Sequence, residues 1–248
     1  MNPYFADEFV TLYLGDCREV LPGLGVAADC VVADAPYGET SLPWDRWPAG
    51  WLDVAALVTR SLWCFGSLRM FLDRCDEFAA WKLSQDVVWE KHNGSGFHAD
   101  RFKRVHEHVT HWYRGDWGSL YHEVPTTPDA TARTVRRKQQ PPHTGHIEAG
   151  SYTSVDGGPR LMRSVVRVRS MHGSAIHPTE KPAGILEPLI AYACPPGGLV
   201  ADLFAGSGST LAAARNLGRR AIGVEVDERY AERAALRLAQ DVPLRGAV

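Results

Sequence analysis

The stretch from Leu199 to Val226 constrains the fold more than any other part of the chain. An apolar run, Leu199–Leu203, leads into the turn Phe204-Ala205-Gly206-Ser207-Gly208. A helical stretch over Thr210–Leu217 follows, stopped by Gly218, and then a second apolar run over Ala221–Val226. A strand, a glycine-rich turn, a helix and another strand in this order build a unit whose two strands lie parallel in one sheet. The same alternation runs through the rest of the sequence. Phe9–Leu14 predicts a strand, Cys17–Leu24 a short helix after Gly15-Asp16, and Cys30–Ala33 a buried parallel strand that stops at Asp34. Trp51–Trp63 predicts a helix, Leu68–Leu72 a strand, the residues on to about Leu83 a helix, and Asp86–Trp89 and Val105–Tyr113 further strands. Pro182–Ala193 and Asp227–Gln240 predict helices, the second with Asp227 as N-cap. The expected class is α/β, with a doubly wound, mostly parallel sheet.

Periodicity fades between Gly115 and His172, where Pro, Thr, Gly, Arg and His dominate. That segment is expected to be an insertion, residues 115–172, between residues 1–114 and 173–248, which would be two halves of one domain. Charge is uneven in the same way: Arg101–Ser170 holds 12 Lys and Arg against 6 Asp and Glu, in a chain whose formal net charge is −2. A basic segment within an acidic protein is the footprint of a face that meets a polyanion, although a solvated arginine-rich surface gives the same count. No window reaches the roughly 20 apolar residues that span a bilayer, and Met1–Asp7 lacks the features of a signal peptide. The five cysteines are scattered, so reduced, buried thiols, no metal site and a cytoplasmic location are expected.

The turn at 206–208 suits a ligand. Gly206 and Gly208 would let backbone approach it closely, and Glu225, 19 positions after Gly206, stands where a carboxylate can accept from ribose hydroxyls. A phosphate-cradling loop would need a Lys after its last Gly, where this chain has Ser209-Thr210. A dinucleotide fingerprint would need a third Gly where Leu211 stands. S-adenosylmethionine, which has no pyrophosphate, needs neither. A tight turn without a ligand is the plain alternative.

Asp34-Ala35-Pro36-Tyr37 follows the buried strand at Cys30–Ala33. Together with Asp202, Phe204, Gly206, Gly208, Ser209 and Thr210, with His177-Pro178-Thr179-Glu180-Lys181-Pro182 and with Gly15-Asp16-Cys17, it resembles the β-class DNA amino-methyltransferases, which make N6-methyladenine or N4-methylcytosine. The catalytic segment comes first and the donor segment last, the order of that class. The family's tetrapeptide carries Pro where Ala35 stands, a departure that keeps the carbonyl and loosens the backbone. The resemblance covers nearly the whole chain outside about 115–170.

It implies a Rossmann-like methyltransferase sheet with an inserted target-recognition region, S-adenosylmethionine as donor and double-stranded DNA as partner. An exocyclic amine is a poor nucleophile because its lone pair is delocalised into the ring. Asp34 and the carbonyl of Ala35 would accept its two N–H protons, Pro36 would fix the direction of that carbonyl, and Tyr37 would stack on a base flipped out of the duplex. Phe204, Gly206, Ser207 and Gly208 would line the donor and Glu225 would hold its ribose. Asp202, Thr179 and Lys181 would lie around its methionine end, Thr210 would bind the donor as part of the same motif, and Asp16 would lie near its adenine. Aspartate at position 34 leans toward adenine N6 over cytosine N4; a weakly catalytic DNA-binding relative is a further alternative, motivated by Ala35. Arg133, Arg136, Arg137, Lys138, Arg160 and Arg163 are candidates for phosphate contact. A homodimer and a companion restriction endonuclease are compatible with the resemblance.

His106-Glu107-His108 with His111 does not read as a metal motif, because a helical zinc pair needs histidines four apart and position 110 is Thr. Trp44, Trp47 and Trp51 would either wall a base pocket or fill the core.

Overall fold

The computed structural model describes residues 1–95, 99–137, 150–171 and 180–240. The chain divides into two compact units, Met1–Glu123 with Ser164–Val248, and Val124–Arg163. The larger unit opens with β1 (Phe5–Ala6), β2 (Val10–Leu14), α1 (Cys17–Leu24), β3 (Cys30–Ala33), α2 (Trp51–Val58), β4 (Ser61–Gly66), α3 (Leu68–Asp73), β5 (Lys82–Ser95) and β6 (Arg104–Tyr113). The smaller unit holds β7 (Thr126–Thr127), β8 (Arg133–Arg137), β9 (Gly150–Ser154) and β10 (Arg160–Leu161). The larger unit resumes with β11 (Val165–Arg167), α4 (Ala183–Ala193), β12 (Leu199–Asp202), α5 (Ser209–Asn216), β13 (Arg220–Glu225) and α6 (Glu228–Ala239). Among the described residues no helix is long and apolar enough to cross a membrane.

The larger unit's sheet has the order β1-β2-β13-β12-β3-β4-β6-β5-β11. Its centre, from β2 to β4, is parallel, while β6 runs antiparallel to both β4 and β5. All four residues of β3 and all six of β4 are buried, as strands covered on both faces require. Val31, Ala33, Leu62, Cys64, Ala201 and Val224 pack into a core with α1 and α2 on one face. The opposite face meets α4, where the Trp63 and Tyr192 rings lie 5.4 Å apart.

The position of the site follows from topology. β3 continues through α2 to β4 on one side, and β12 through α5 to β13 on the other. β3 and β12 are parallel neighbours, Val31 beside Ala201. Successive units therefore diverge between these two strands, and the crevice beyond their C-terminal ends is where open α/β sheets bind ligands. Asp34 follows the last residue of one strand and Asp202 ends the other.

Three expected elements differ. The helix over Trp51–Trp63 ends at Val58, and Ser61–Gly66 is a central strand; a continuous apolar run does not show its own period. Leu68–Leu72 is helical, because the Ser67 side chain accepts from Met70 N and caps it, leaving Leu68 and Leu72 exposed. Beyond it there is one turn of 3₁₀ helix at Cys75–Phe78, and β5 already begins at Lys82. Cys75 is exposed, while the other four cysteines are buried. Within the smaller unit, β8 pairs antiparallel with β9 and β7 with β10.

Candidate active site

Two clefts meet at Asp34. The first, of about 310 Å³, is lined by Asp16, Asp34, Pro36, Lys181, Asp202, Phe204, Gly206, Ser207, Thr210 and Glu225, among others. The second, of about 1080 Å³, is lined by Asp34, Ala35, Pro36 and Tyr37 together with Glu39, Arg104, His106, Glu107 and Lys181. Asp34, Pro36, Trp44 and Lys181 belong to both.

In the first cleft the backbone shapes the carboxylates. Asp202 Oδ1 accepts from Phe204 N at 3.0 Å. Burial pushes its carboxyl up to about 7, against the lowering effect of hydrogen bonds from Thr210 and Phe204. Glu225 accepts from Gly206 N at 2.7 Å with one oxygen and from Asp227 N at 2.8 Å with the other. Its pKa is likewise raised by burial. Each oxygen keeps a second lone pair for a ligand. Phe204 is braced edge-on by the buried Trp51, ring centroids 5.4 Å apart. Asp16 caps α1 through Arg18 N and pairs with the Arg18 guanidinium, which holds its carboxyl below the usual range.

Gly206 has φ +51° and Gly208 φ +75°, the left-handed region. Gly208 does not line the cleft: a Cβ there would stand 3.1 Å from Ala234 Cβ, so this glycine serves the turn and the approach of α6. Gly206 does line the cleft.

The second cleft has a charged floor that the sequence did not announce. Lys181 Nζ lies 2.5 Å from Asp34 Oδ2 and 3.6 Å from Glu107 Oε2. Tyr37 Oη donates to Asp34 Oδ1 at 2.7 Å. Glu107 in turn pairs with Lys91. Two carboxylates and two ammonium groups alternate, so the buried charges cancel. Burial alone would lower the Lys181 pKa, but Asp34 and Glu107 outweigh it and raise it. Glu107 goes below its usual range, because Lys181 and Lys91 overcome the upward effect of burial. Lys181 was expected at the donor's methionine end; its ammonium engages Asp34 and Glu107, and the residue lines both clefts. Glu107 and Lys91 were missed, since nothing in the spacing of β5 and β6 tells that their side chains meet behind Asp34.

The remaining candidates divide. Arg133 and Arg136 are exposed on β8 and Arg163 is exposed at the edge of the smaller unit, while Arg160 pairs with Asp129 at 3.3 Å. Thr179, Lys138 and the side chain of Arg137 lie outside the described residues. His106 and His108 face the second cleft, whereas His111 is buried. Of the tryptophans, Trp44 faces the clefts and Trp51 is core.

A family profile of DNA methylases matches residues 28–236. The type II methyltransferase M.HinfI of Haemophilus influenzae is 26% identical over 98% of this chain and 72% of its own length. YubD of Escherichia coli strain K12, named as a methylase, is 51% identical over 67 residues, which is 27% of this chain and 30% of that protein. Among solved structures, the M1.HpyAVI–SAM complex aligns with a TM-score of 0.61 at 19% identity, over 92% of this chain and 99% of that one. The cytosine-N4-specific PvuII DNA methyltransferase aligns with a TM-score of 0.65 at 14% identity, over 95% and 88%. These last two share the fold. With a profile match spanning both Asp34 and the turn at Gly206–Gly208, the chain belongs to the DNA methylase family of N6- and N4-amino-methyltransferases.

Proposed function

We propose that this protein transfers a methyl group from S-adenosylmethionine to N6 of an adenine flipped out of double-stranded DNA. The observation that carries the reading is the place of Asp34, whose residue belongs to both clefts. A donor in one and a base in the other would both reach its carboxylate. The first cleft suits the donor. It has the volume of a small-molecule site, no lysine after its glycines, and acceptor oxygens on Glu225 and Asp202 for hydroxyls and a cation.

S-adenosylmethionine, when bound, supplies an electrophilic methyl carbon. The chain's own residues make the amine ready for it. Asp34 accepts one N–H and the Ala35 carbonyl the other, which draws the nitrogen toward tetrahedral geometry and frees its lone pair. Lys181 holds the Asp34 carboxylate in place from behind, so that it costs little to reorganise when the amine arrives. Tyr37, bonded to the same carboxylate, offers its ring to the base. As the N–C bond forms and the methyl leaves sulfur, the amine must lose one N–H proton. The Asp34 carboxylate, which accepts that N–H, would take it and pass it to solvent. The arginines of Val124–Arg163, Arg133, Arg136 and Arg163 first, contact phosphate and so position the duplex. Aspartate at position 34, by the family resemblance, favours adenine.

Incubating the protein with DNA from a methylation-deficient host and methyl-labelled donor, followed by mass spectrometry of nucleosides, tests this. N6-methyladenine is expected. N4-methylcytosine alone would replace the base assigned, and neither product would overturn the reading.

A further inference from the structure

Among the described residues the most exposed large apolar side chain is Phe102, at 102% of its reference accessibility. It belongs to the stretch 99–103 that leads into β6, and its neighbours in sequence are Arg101, Lys103 and Arg104. All four line the larger cleft, the one that has Asp34 and Tyr37 on its wall. A phenylalanine wholly in water contributes nothing to the core, and this one lines the cleft that holds Asp34, where a ligand can meet it. Three cations flank it in sequence; Arg101 is paired with Asp100 and Arg104 with Glu39, both guanidiniums being exposed enough to exchange their carboxylates for phosphates. Leu68 lines the same cleft and is 58% exposed, but it is an aliphatic side chain carried on α3, without cations on both sides.

Resting on the proposed DNA methylation, we propose that Phe102 is the wedge that enters the duplex where the target base has left. A flipped base vacates one position in the stack. An apolar ring inserted there recovers stacking and blocks the return of the base. The cations flanking the ring would hold the phosphates on either side of the gap. The base itself would then lie in the cleft that Phe102 overhangs, on the side of Asp34.

The test starts from the recognition sequence, read by sequencing methylated DNA from cells expressing the full chain. Duplexes carrying that sequence are then compared in two forms, one with the target base paired and one with an abasic site opposite it. Phe102→Ala is expected to lower kcat/KM on the paired duplex by roughly ten- to a hundredfold. It should cost little on the duplex whose target base is already unpaired, and should leave donor binding unchanged. With 2-aminopurine at the target position, the fluorescence rise caused by the wild-type protein should vanish with Phe102→Ala and return with Phe102→Leu or Phe102→Trp. Equal activity of wild type and Phe102→Ala on the paired duplex overturns the wedge, as does an equal loss on both duplexes. In either case methylation by the wild type would leave the proposed function standing. A wild type that methylates no DNA overturns both.

Discussion

Lys181 Nζ stands 2.5 Å from Asp34 Oδ2 across 147 positions of sequence. The pair joins a residue two positions before α4 to the residue after β3, and Glu107 from β6 closes the other side of the ammonium. Three separate elements therefore supply one buried set of charges. Removing the ammonium alone would leave two carboxylates facing each other without their shared cation. Lys181→Met is expected to destabilise the fold by roughly 3–5 kcal/mol, the usual cost of breaking a buried pair on one side. Adding Glu107→Gln should return part of that loss. Urea unfolding of both single variants and the double variant measures the coupling. Purely additive losses would show that the two residues do not act as a unit.

Asp34 is the carboxylate that both clefts share, and the two proposed ligands depend on it differently. Asp34→Ala should lower kcat by about 10²–10³, the scale for removing one preorganised group from a transition-state cradle. Donor affinity should change little, because the Glu225 and Asp202 oxygens lie elsewhere in the first cleft. Calorimetry of donor binding beside single-turnover methylation separates the two. If both fall together, the assignment of Asp34 to the amine is wrong.

Much of this site could be read from the chain because its parts are local. Cys30–Ala33 announces a buried strand by four apolar residues in a row, and Asp34-Ala35-Pro36-Tyr37 begins where that run stops. Asp202, Gly206 and Glu225 likewise fall within one strand–turn–helix–strand unit. The boundary at Asp227 was also legible, since its side chain accepts from Arg229 N as an N-cap does. What the sequence hid was of another kind. The expected helix over Trp51–Trp63 overran the start of β4 and Leu68–Leu72 was expected as a strand, because both stretches are apolar and the difference lies in one capping hydroxyl and in which strands flank them. The ladder Lys91–Glu107–Lys181 depends on the register of β5 against β6, Trp89 opposite Glu107, and on a segment 74 positions further on. No periodicity within any one element carries that information.

With the proposed donor in the first cleft, Asp202 should make its binding depend on pH. Its carboxyl is pushed up to about 7 by burial, so around neutral pH the ligand-free protein holds it partly protonated. The proposed donor carries a sulfonium charge, which favours the ionised form. Binding should therefore release protons, and affinity should tighten as pH rises through 7, by at most about tenfold per unit below that point, then level off. The same shift has the opposite sign for stability. A carboxyl raised in the folded state favours folding when protonated, and that contribution fades as pH rises from the ordinary aspartate range through 7. Asp202→Asn should flatten the dependence of the donor Kd between pH 6 and 8. A wild-type Kd independent of pH over that span would remove Asp202 from the donor's charge environment.

His111 gives the fold an acid limit of its own, away from either cleft. Its Nε2 lies 2.9 Å from Ser61 Oγ and its Nδ1 2.9 Å from Ser84 Oγ, with the Trp63 ring 4.6 Å away and the Tyr192 ring 5.3 Å away. Burial lowers its pKa to about 4, with a smaller contribution from His122. The folded protein thus keeps His111 neutral where the unfolded chain protonates it near 6.5. Between those two values the unfolded state binds more protons, so stability falls as pH drops from 6.5 toward 4 and the loss is complete below 4. For this one side chain the loss is about 2 kcal/mol at pH 5. His111→Gln keeps a donor and an acceptor for the two serines but has no proton to gain. Urea unfolding at pH 7.5 and at pH 5 should show the wild type losing about 2 kcal/mol more than the variant over that interval. Equal losses in the two proteins would place the acid sensitivity of the fold at other groups.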